Sequence, residues 1–284
     1  MDAFTDDVLL KISSYLRASE LVCLALTCTR FGSKNNSNNR SLVEEAAMKN
    51  TSSMKSLSEN ELQTQDFMRD RGPISIYHGL LLHRTPLNFR LLGKNIEYCS
   101  KNRSSVWNAN DTTNTAICCN TLRSGKHYVT FKKHGYGRLN VGIMRPMKRE
   151  QKDITWFDPL ERRFWDCMLV QPERDDDRFN ISCCMLCNNT GHCSFSDCLT
   201  ATHHGNNWEG MARIAGNIKG DCNIGMCLDF NAGSLTVYLQ NVNGDATSVW
   251  RRMGTMCRGL SGEFCWAVSI WKGTKVEIER GLSS

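Results

Sequence analysis

The sequence predicts an α+β protein in which a short N-terminal helical module precedes an antiparallel β-sandwich. Three observations support this class: apolar stripes with helical spacing before residue 50, alternating strand patterns from residue 127 onward, and Gly/Asn turns between those strands. Strands that follow one another without crossover helices favour a sandwich. We therefore expect a helical module over residues 1–49, a linker leading into the sheet over 50–109, and the sandwich over 110–281.

The composition is that of a globular protein. Hydrophobic residues make up 40% of the 284 residues and charged residues 23%, which excludes a fully disordered or fibrous chain. The longest apolar run, Leu21–Cys28, is far shorter than the roughly 18 residues that cross a bilayer, and the acidic N-terminus has no hydrophobic stretch. We therefore expect an intracellular protein, cytoplasmic or nuclear, whose 15 cysteines are mostly reduced and act as small buried hydrophobes.

Three short helices are predicted in the first fifty residues. Thr5 and Ser19 are good N-caps for the first two, and Ser41 is a candidate cap for the third. The first two helices carry apolar stripes at Val8, Ile12, Tyr15 and Leu16, and at Leu21, Leu24, Ala25 and Cys28. Because so little apolar area makes a poor core, we expect this module to have a partner.

This segment resembles an F-box. The matching residues are Phe4-Thr5-Asp6-Asp7-Val8-Leu9, Ile12, Tyr15-Leu16, Leu21, Leu24, Cys28 and Arg30-Phe31. The resemblance implies docking on the Skp-type adaptor of a cullin-RING ubiquitin ligase. It places six residues in the adaptor-facing seam or its immediate support: Phe4, Val8, Ile12, Leu16, Leu21 and Leu24.

Two other interpretations of the helices remain open at this stage. A helix-turn-helix would read DNA with basic residues on its second helix, but Glu20–Thr29 contains no Lys or Arg, so nucleic acid is not an expected partner. A helical cap on the following domain would explain the same apolar pattern without any adaptor.

The strands of the last two-thirds resemble a SPRY domain. The residues that carry the resemblance are Gly125-Lys126-His127-Tyr128-Val129, Val141-Gly142-Ile143, Gly220–Asp229, Gly233–Tyr238 and Phe264–Ser269. SPRY domains are in general binding modules whose variable loops form a shallow face for a protein or peptide, with no catalytic machinery. The resemblance implies an unidentified target protein and leaves the substrate-binding residues unknown.

Together the two resemblances imply a non-catalytic substrate receptor of a cullin-RING (SCF-type) ubiquitin ligase. The receptor would act by proximity, since it raises the effective concentration of target lysines near the charged ubiquitin carrier. No cofactor or membrane partner is expected. The alternative is a stand-alone SPRY scaffold that binds proteins without a ligase.

Two further features of the sequence require an interpretation. A Cys/His-rich stretch offers metal-ligand types without a crisp zinc spacing, so the zinc site remains an alternative and not the prediction; its members are Cys184, Cys187, His192, Cys193, Cys198, His203 and His204. Residues 121–152 hold nine basic side chains against Glu150 alone, within an overall charge of +6. This segment predicts either outward-facing strand residues and turns or a patch that attracts an acidic partner.

Overall fold

A computed structural model describes residues 5–34, 39–55, 72–74, 76–77, 81, 85–146, 181–197, 204–206, 208–214, 218, 220–241 and 249–282. The chain divides into two compact units, a helical unit over Met1–Thr85 and a β-rich unit over Pro86–Ser284. Among the described residues, no helix is both long and apolar enough to cross a membrane.

The helical unit contains four described helices: α1 Asp6–Ser13, α2 Ala18–Thr27, α3 Thr29–Gly32 and α4 Leu42–Lys55. The Ser41 cap is confirmed, because the Ser41 backbone N–H donates to Glu44 Oε2 at 2.9 Å and the Glu44 N–H donates back to Ser41 Oγ. The predicted Ser19 cap is wrong: α2 begins at Ala18, so the N-cap is Arg17, whose backbone N–H donates to Glu20 Oε2 at 2.7 Å.

The core of the helical unit is small, and its buried side chains come from α2, α4 and the segment after α4. Its buried members are Ala18, Leu21, Val43, Ala46, Ala47 and Tyr77. The Tyr77 hydroxyl donates to the Leu16 carbonyl at 3.1 Å, and Arg30 of α3 pairs with Asp6 of α1 at 2.8 Å. Long-range polar contacts thus fix the helix ends around a core of mostly small residues.

The second unit is an antiparallel sandwich of two sheets. Its described strands are β1 Phe89–Leu92, β2 Ile96–Tyr98, β3 Ser105–Asn108, β4 Asn114–Cys118, β5 Lys126–His134, β6 Leu139–Met144, β7 Ile181–Cys187, β8 Cys193–Asp197, β9 His204–Asn206, β10 Cys222–Asp229, β11 Ser234–Asn241, β12 Arg251–Arg258, β13 Cys265–Ile270 and β14 Lys275–Arg280. Within the described residues the sheets have the orders β1-β4-β13-β6-β7-β8-β9 and β12-β11-β10-β5-β14-β3-β2. A single-turn helix, α5 Met211–Ile214, lies between β9 and β10.

The predicted β10–β11 hairpin is confirmed, and its two strands pair along their whole length. Ile224 pairs with Leu239 and Met226 with Val237, so that both strands direct apolar side chains into the core. The turn between them places Gly233 at φ 55°, a left-handed conformation that glycine adopts without steric cost. The largest buried core side chains include Trp266 and Phe131, whose rings meet edge to face at 6.2 Å.

The structure differs from the predicted boundaries on both sides of the linker. Helix α4 continues past residue 49 to Lys55, and β1 to β3 lie inside the segment 50–109. Because β1 pairs with β4 and β3 with β14, the first of these strands joins one sheet and β2 and β3 join the other, so the sandwich begins at Pro86 rather than at residue 110.

Candidate functional site

Helices α1 and α2 each expose apolar side chains that the helical core does not cover. We call this set the apolar helical surface: Val8 and Ile12 on α1, Tyr15 in the turn that follows α1, and Val22 and Leu26 on α2. Tyr15 is 75% exposed and Leu26 is 82% exposed. Val8 and Ile12 are four residues apart, as are Val22 and Leu26, so each pair shares one face of its helix.

The structure separates the six residues predicted for adaptor docking. Val8 and Ile12 are exposed, whereas Leu21 is fully buried in the helical core. Leu16 and Leu24 are partly buried and pack against that core. Phe4 lies outside the described residues. Val8 and Ile12 of the α1 stripe thus face outward, while the α2 stripe containing Leu21 and Leu24 packs inward.

Sequence reasoning missed Val22 and Leu26 as surface residues and did not select Tyr15. Val22 and Leu26 lie outside the inward stripe of α2, and their i, i+4 spacing is the signal that would have identified them. Val22 also borders an open, mainly apolar groove of about 620 Å³ within the helical unit. The residues lining this groove are Ala18, Ser19, Val22, Glu44, Gly72, Pro73 and Ile74.

One end of the sandwich presents an exposed aromatic residue on a braced loop. Lys133 is only 1% exposed, and its ammonium donates to the Gly220 carbonyl at 2.8 Å and to the Gly135 carbonyl. Asp221 accepts a hydrogen bond from the Gly135 N–H at 2.9 Å, and this bond lowers the pKa of its carboxyl. Tyr136, the residue after Gly135, is 89% exposed. A large aromatic side chain is therefore exposed next to a backbone position that hydrogen bonds fix on both sides.

The Cys/His-rich stretch does not assemble into a metal site in the part of the chain that the structure describes. There, no group of three or more His, Cys, Asp or Glu side chains is placed to hold a metal. Cys184 and Cys187 are three residues apart on β7, so they face opposite sides of the sheet. Cys198 and His203 lie outside the described residues, and only the backbone of His204 is described.

The basic segment 121–146 is largely engaged by local partners. Three of its side chains form ion pairs: Lys126 with Asp229 at 3.3 Å, Lys132 with Glu279 at 2.6 Å, and Arg123 with Glu263 at 2.7 Å.

Two arginines of the same segment lie against aromatic rings. The Arg138 guanidinium lies 4.5 Å from the centre of the Trp271 ring, and the Arg145 guanidinium lies 4.4 Å from the centre of the Phe264 ring. These contacts favour outward-facing strand and turn residues over a continuous cationic patch; residues 147–152 lie outside the described residues.

No protein-family model matches the sequence, and no curated protein is similar to it. Among solved structures, the chain is similar to the PSpry domain of TRIM65 at 14% identity, covering 72% of this chain and 95% of that one, with a TM-score of 0.43. The SPRY domain of human HERC1 is similar at 12% identity, with coverages of 69% and 100% and a TM-score of 0.38. Arcelin-5, a lectin-like defence protein from Phaseolus vulgaris, is similar at 11% identity, with coverages of 69% and 94% and a TM-score of 0.39. The two-sheet architecture of this chain is defined by its own strand pairing.

Proposed function

We propose that this protein is a non-catalytic substrate receptor of an SCF-type cullin-RING ubiquitin ligase. In this proposal the helical unit docks on a Skp-type adaptor through the apolar helical surface, and the sandwich binds the target protein. The observation that carries the proposal is the exposure of Val8 and Ile12 on α1, Tyr15 just after it, and Val22 and Leu26 on α2.

Exposure of this kind supports a docking role because it is costly to leave in water. Burial of apolar area contributes about 25 cal/mol per Å², so covering several such side chains supplies much of the free energy of a specific interface. The helical unit has its own core beneath them, centred on Leu21 and Ala46. The exposed residues are therefore not needed to hold the helices together.

The role proposed for the sandwich rests on its SPRY-like strand motifs and on its braced loop. Tyr136 exposes a large aromatic side chain directly after the hydrogen-bonded Gly135, and tyrosine is among the residue types that often dominate binding energy. The reaction itself would be carried out by other subunits, and the receptor would supply proximity.

The direct test is binding of the full chain to a purified Skp-type adaptor, measured by calorimetry or interferometry. We expect a dissociation constant of about 1 μM or tighter for the wild type, corresponding to roughly −8 kcal/mol. Ile12→Asp and Leu26→Asp should each weaken binding at least tenfold, because each places a charge in the contact. Ser52→Asp, on the exposed side of α4, adds the same charge away from the surface and should leave binding unchanged.

The outcome also separates the proposal from its alternative. Failure of the folded full chain to bind the adaptor would overturn the receptor proposal and leave a SPRY-like protein-binding scaffold. Circular dichroism of each variant would show that a loss of binding is not a loss of helices, since surface substitutions of this kind change stability by only about 0.5 kcal/mol.

A further inference from the structure

Two cysteine thiols meet inside the sandwich, on neighbouring strands. Cys184 of β7 and Cys193 of β8 are both fully buried members of the core, and their Sγ atoms are 3.5 Å apart. Neither Cys184 nor Cys193 is part of a disulfide. A disulfide joins its sulfurs at about 2.05 Å, so the two atoms need to move only about 1.5 Å to bond.

Strand register explains why these two side chains converge. Cys184 lies opposite Phe195, and Cys193 lies opposite Leu186, so the two cysteines are diagonal neighbours on the same face of an antiparallel pair. Diagonal neighbours in such a pair are about 7–8 Å apart at Cα, slightly beyond the roughly 7 Å at which a bridge forms without backbone movement, so bonding also requires a small shift of β8 against β7. The short distance between the sulfurs shows that the side chains already lean toward each other.

We propose that Cys184 and Cys193 form a reversible disulfide when the protein meets a hydroperoxide. One thiolate attacks a peroxide oxygen, the O–O bond breaks, and a sulfenic acid and a hydroxide form. The second sulfur then attacks the sulfenic sulfur and displaces its oxygen as water. For hydrogen peroxide, the two thiols lose two protons and two electrons, and the peroxide becomes two water molecules.

A third buried thiol, Cys257 of β12, also contacts Cys184. Cys257 lies on the facing sheet, and packed sheets are about 10 Å apart, which is too far between Cα atoms for a bridge without drawing the sheets together. Cys193 is on the strand paired with that of Cys184, so a bridge to it requires only a small shift between two neighbouring strands. Cys193 is therefore the expected partner.

The position of the pair makes the bond slow to form and easy to reduce. Burial raises the pKa of Cys184 well above that of an ordinary thiol, so little thiolate is present while the hairpin is closed. Strands β8 and β9 end the order of their sheet, and opening at this end exposes the pair at lower cost than opening at its centre. A bridge close to the geometric limit is strained, which favours its reduction by small thiols.

The test is cysteine mapping on the full wild-type chain. Exposed thiols such as Cys23, Cys99 and Cys119 are first blocked with N-ethylmaleimide under native conditions. The protein is then treated with hydrogen peroxide, quenched, denatured and alkylated with iodoacetamide. No Lys or Arg lies between residues 179 and 212, so trypsin leaves both cysteines on one peptide, and chymotryptic cleavage after Leu186 is needed to show two linked fragments.

We expect Cys184 and Cys193 to escape iodoacetamide together, to appear as a linked pair two hydrogens lighter, and to return to free thiols with dithiothreitol. Cys193→Ala should abolish the link, and Cys257→Ala should preserve it. Free Cys184 and Cys193 after peroxide treatment, or a link from Cys184 to Cys257, would overturn the proposal. Mapping of the wild-type chain decides the matter even if a variant fails to fold.

Discussion

Replacing Lys133 with methionine should destabilise the sandwich by about 2 kcal/mol. The ammonium of this buried lysine donates to the carbonyls of Gly135 and Gly220, which belong to two different loops. Methionine retains most of the apolar stem but removes the donor. The Gly220 carbonyl lies on a buried residue and loses its partner outright, while water can replace the donor at the half-buried Gly135.

The magnitude follows from two opposing terms. Losing two hydrogen bonds from a charged donor costs about 3–6 kcal/mol, given about 1.5–3 kcal/mol each. Removing the buried charge returns part of its desolvation, about 1–3 kcal/mol on the scale of mutational data for buried polar groups. The net loss should lower the melting temperature of a unit of this size by roughly 4–8 °C.

Urea unfolding followed by tryptophan fluorescence measures this effect in the right unit. All seven tryptophans lie at or after residue 107, so their emission reports on the sandwich and not on the helical unit. Lys132→Met is the matched control: it is the adjacent lysine on the opposite face of β5, and its partly exposed ion pair with Glu279 contributes at most about 1 kcal/mol. If Lys133→Met were as stable as the wild type, or lost no more than Lys132→Met, the two carbonyl contacts would not outweigh the desolvation of the lysine.

Three further predictions concern protons and close packing. Desolvation lowers the pKa of Lys133, so between its folded pKa and the ordinary 10.5 only the unfolded chain holds the extra proton. The free energy of unfolding of the wild type should therefore rise relative to Lys133→Met as pH increases through that window, as measured by urea titrations at several pH values. The pH dependence due to Cys222 has the opposite sign, since burial raises the pKa of its thiol from 9 to about 12. Its contribution to the free energy of unfolding is fully present below pH 9 and declines between pH 9 and 12. Comparison of the wild type with Cys222→Ala at pH 8 and pH 10 would detect this decline. Gly142→Ala should prevent a stable sandwich from forming, because the added Cβ would overlap the Cys184 carbonyl on β7. Gly259→Ala is the control: its Cβ meets open space, and it should cost only about 1 kcal/mol for the left-handed backbone at that position. Soluble yield and the unfolding midpoints of the two variants measure the difference.

The strands that could be predicted from the sequence are those in which large apolar side chains alternate with smaller or more polar ones. Alternation identified the β10–β11 hairpin because Ile224, Met226 and Leu228 face the core between more polar neighbours. Strand β7, Ile181–Cys187, has no readable alternation, since residues 183–187 are apolar in succession and both of its faces are buried. Strands β1 to β3 are only three or four residues long, and β1 and β3 are completed by partners distant in sequence, so no local pattern marks them.

The helical unit shows a different limit of sequence reasoning. An apolar stripe states which side chains avoid water, but it does not state whether the chain's own core or another protein covers them. The stripe of α1 containing Ile12 faces outward, whereas the stripe of α2 containing Leu21 faces the core. On α2 the exposed residues are Val22 and Leu26, on the other side of the helix, and the proposed docking depends on them. Leu21→Asp would test only whether the helices fold, because Leu21 is buried in their core. Leu26→Asp leaves the core intact and tests whether the helical unit binds the adaptor, so this substitution is the one that tests the proposed function.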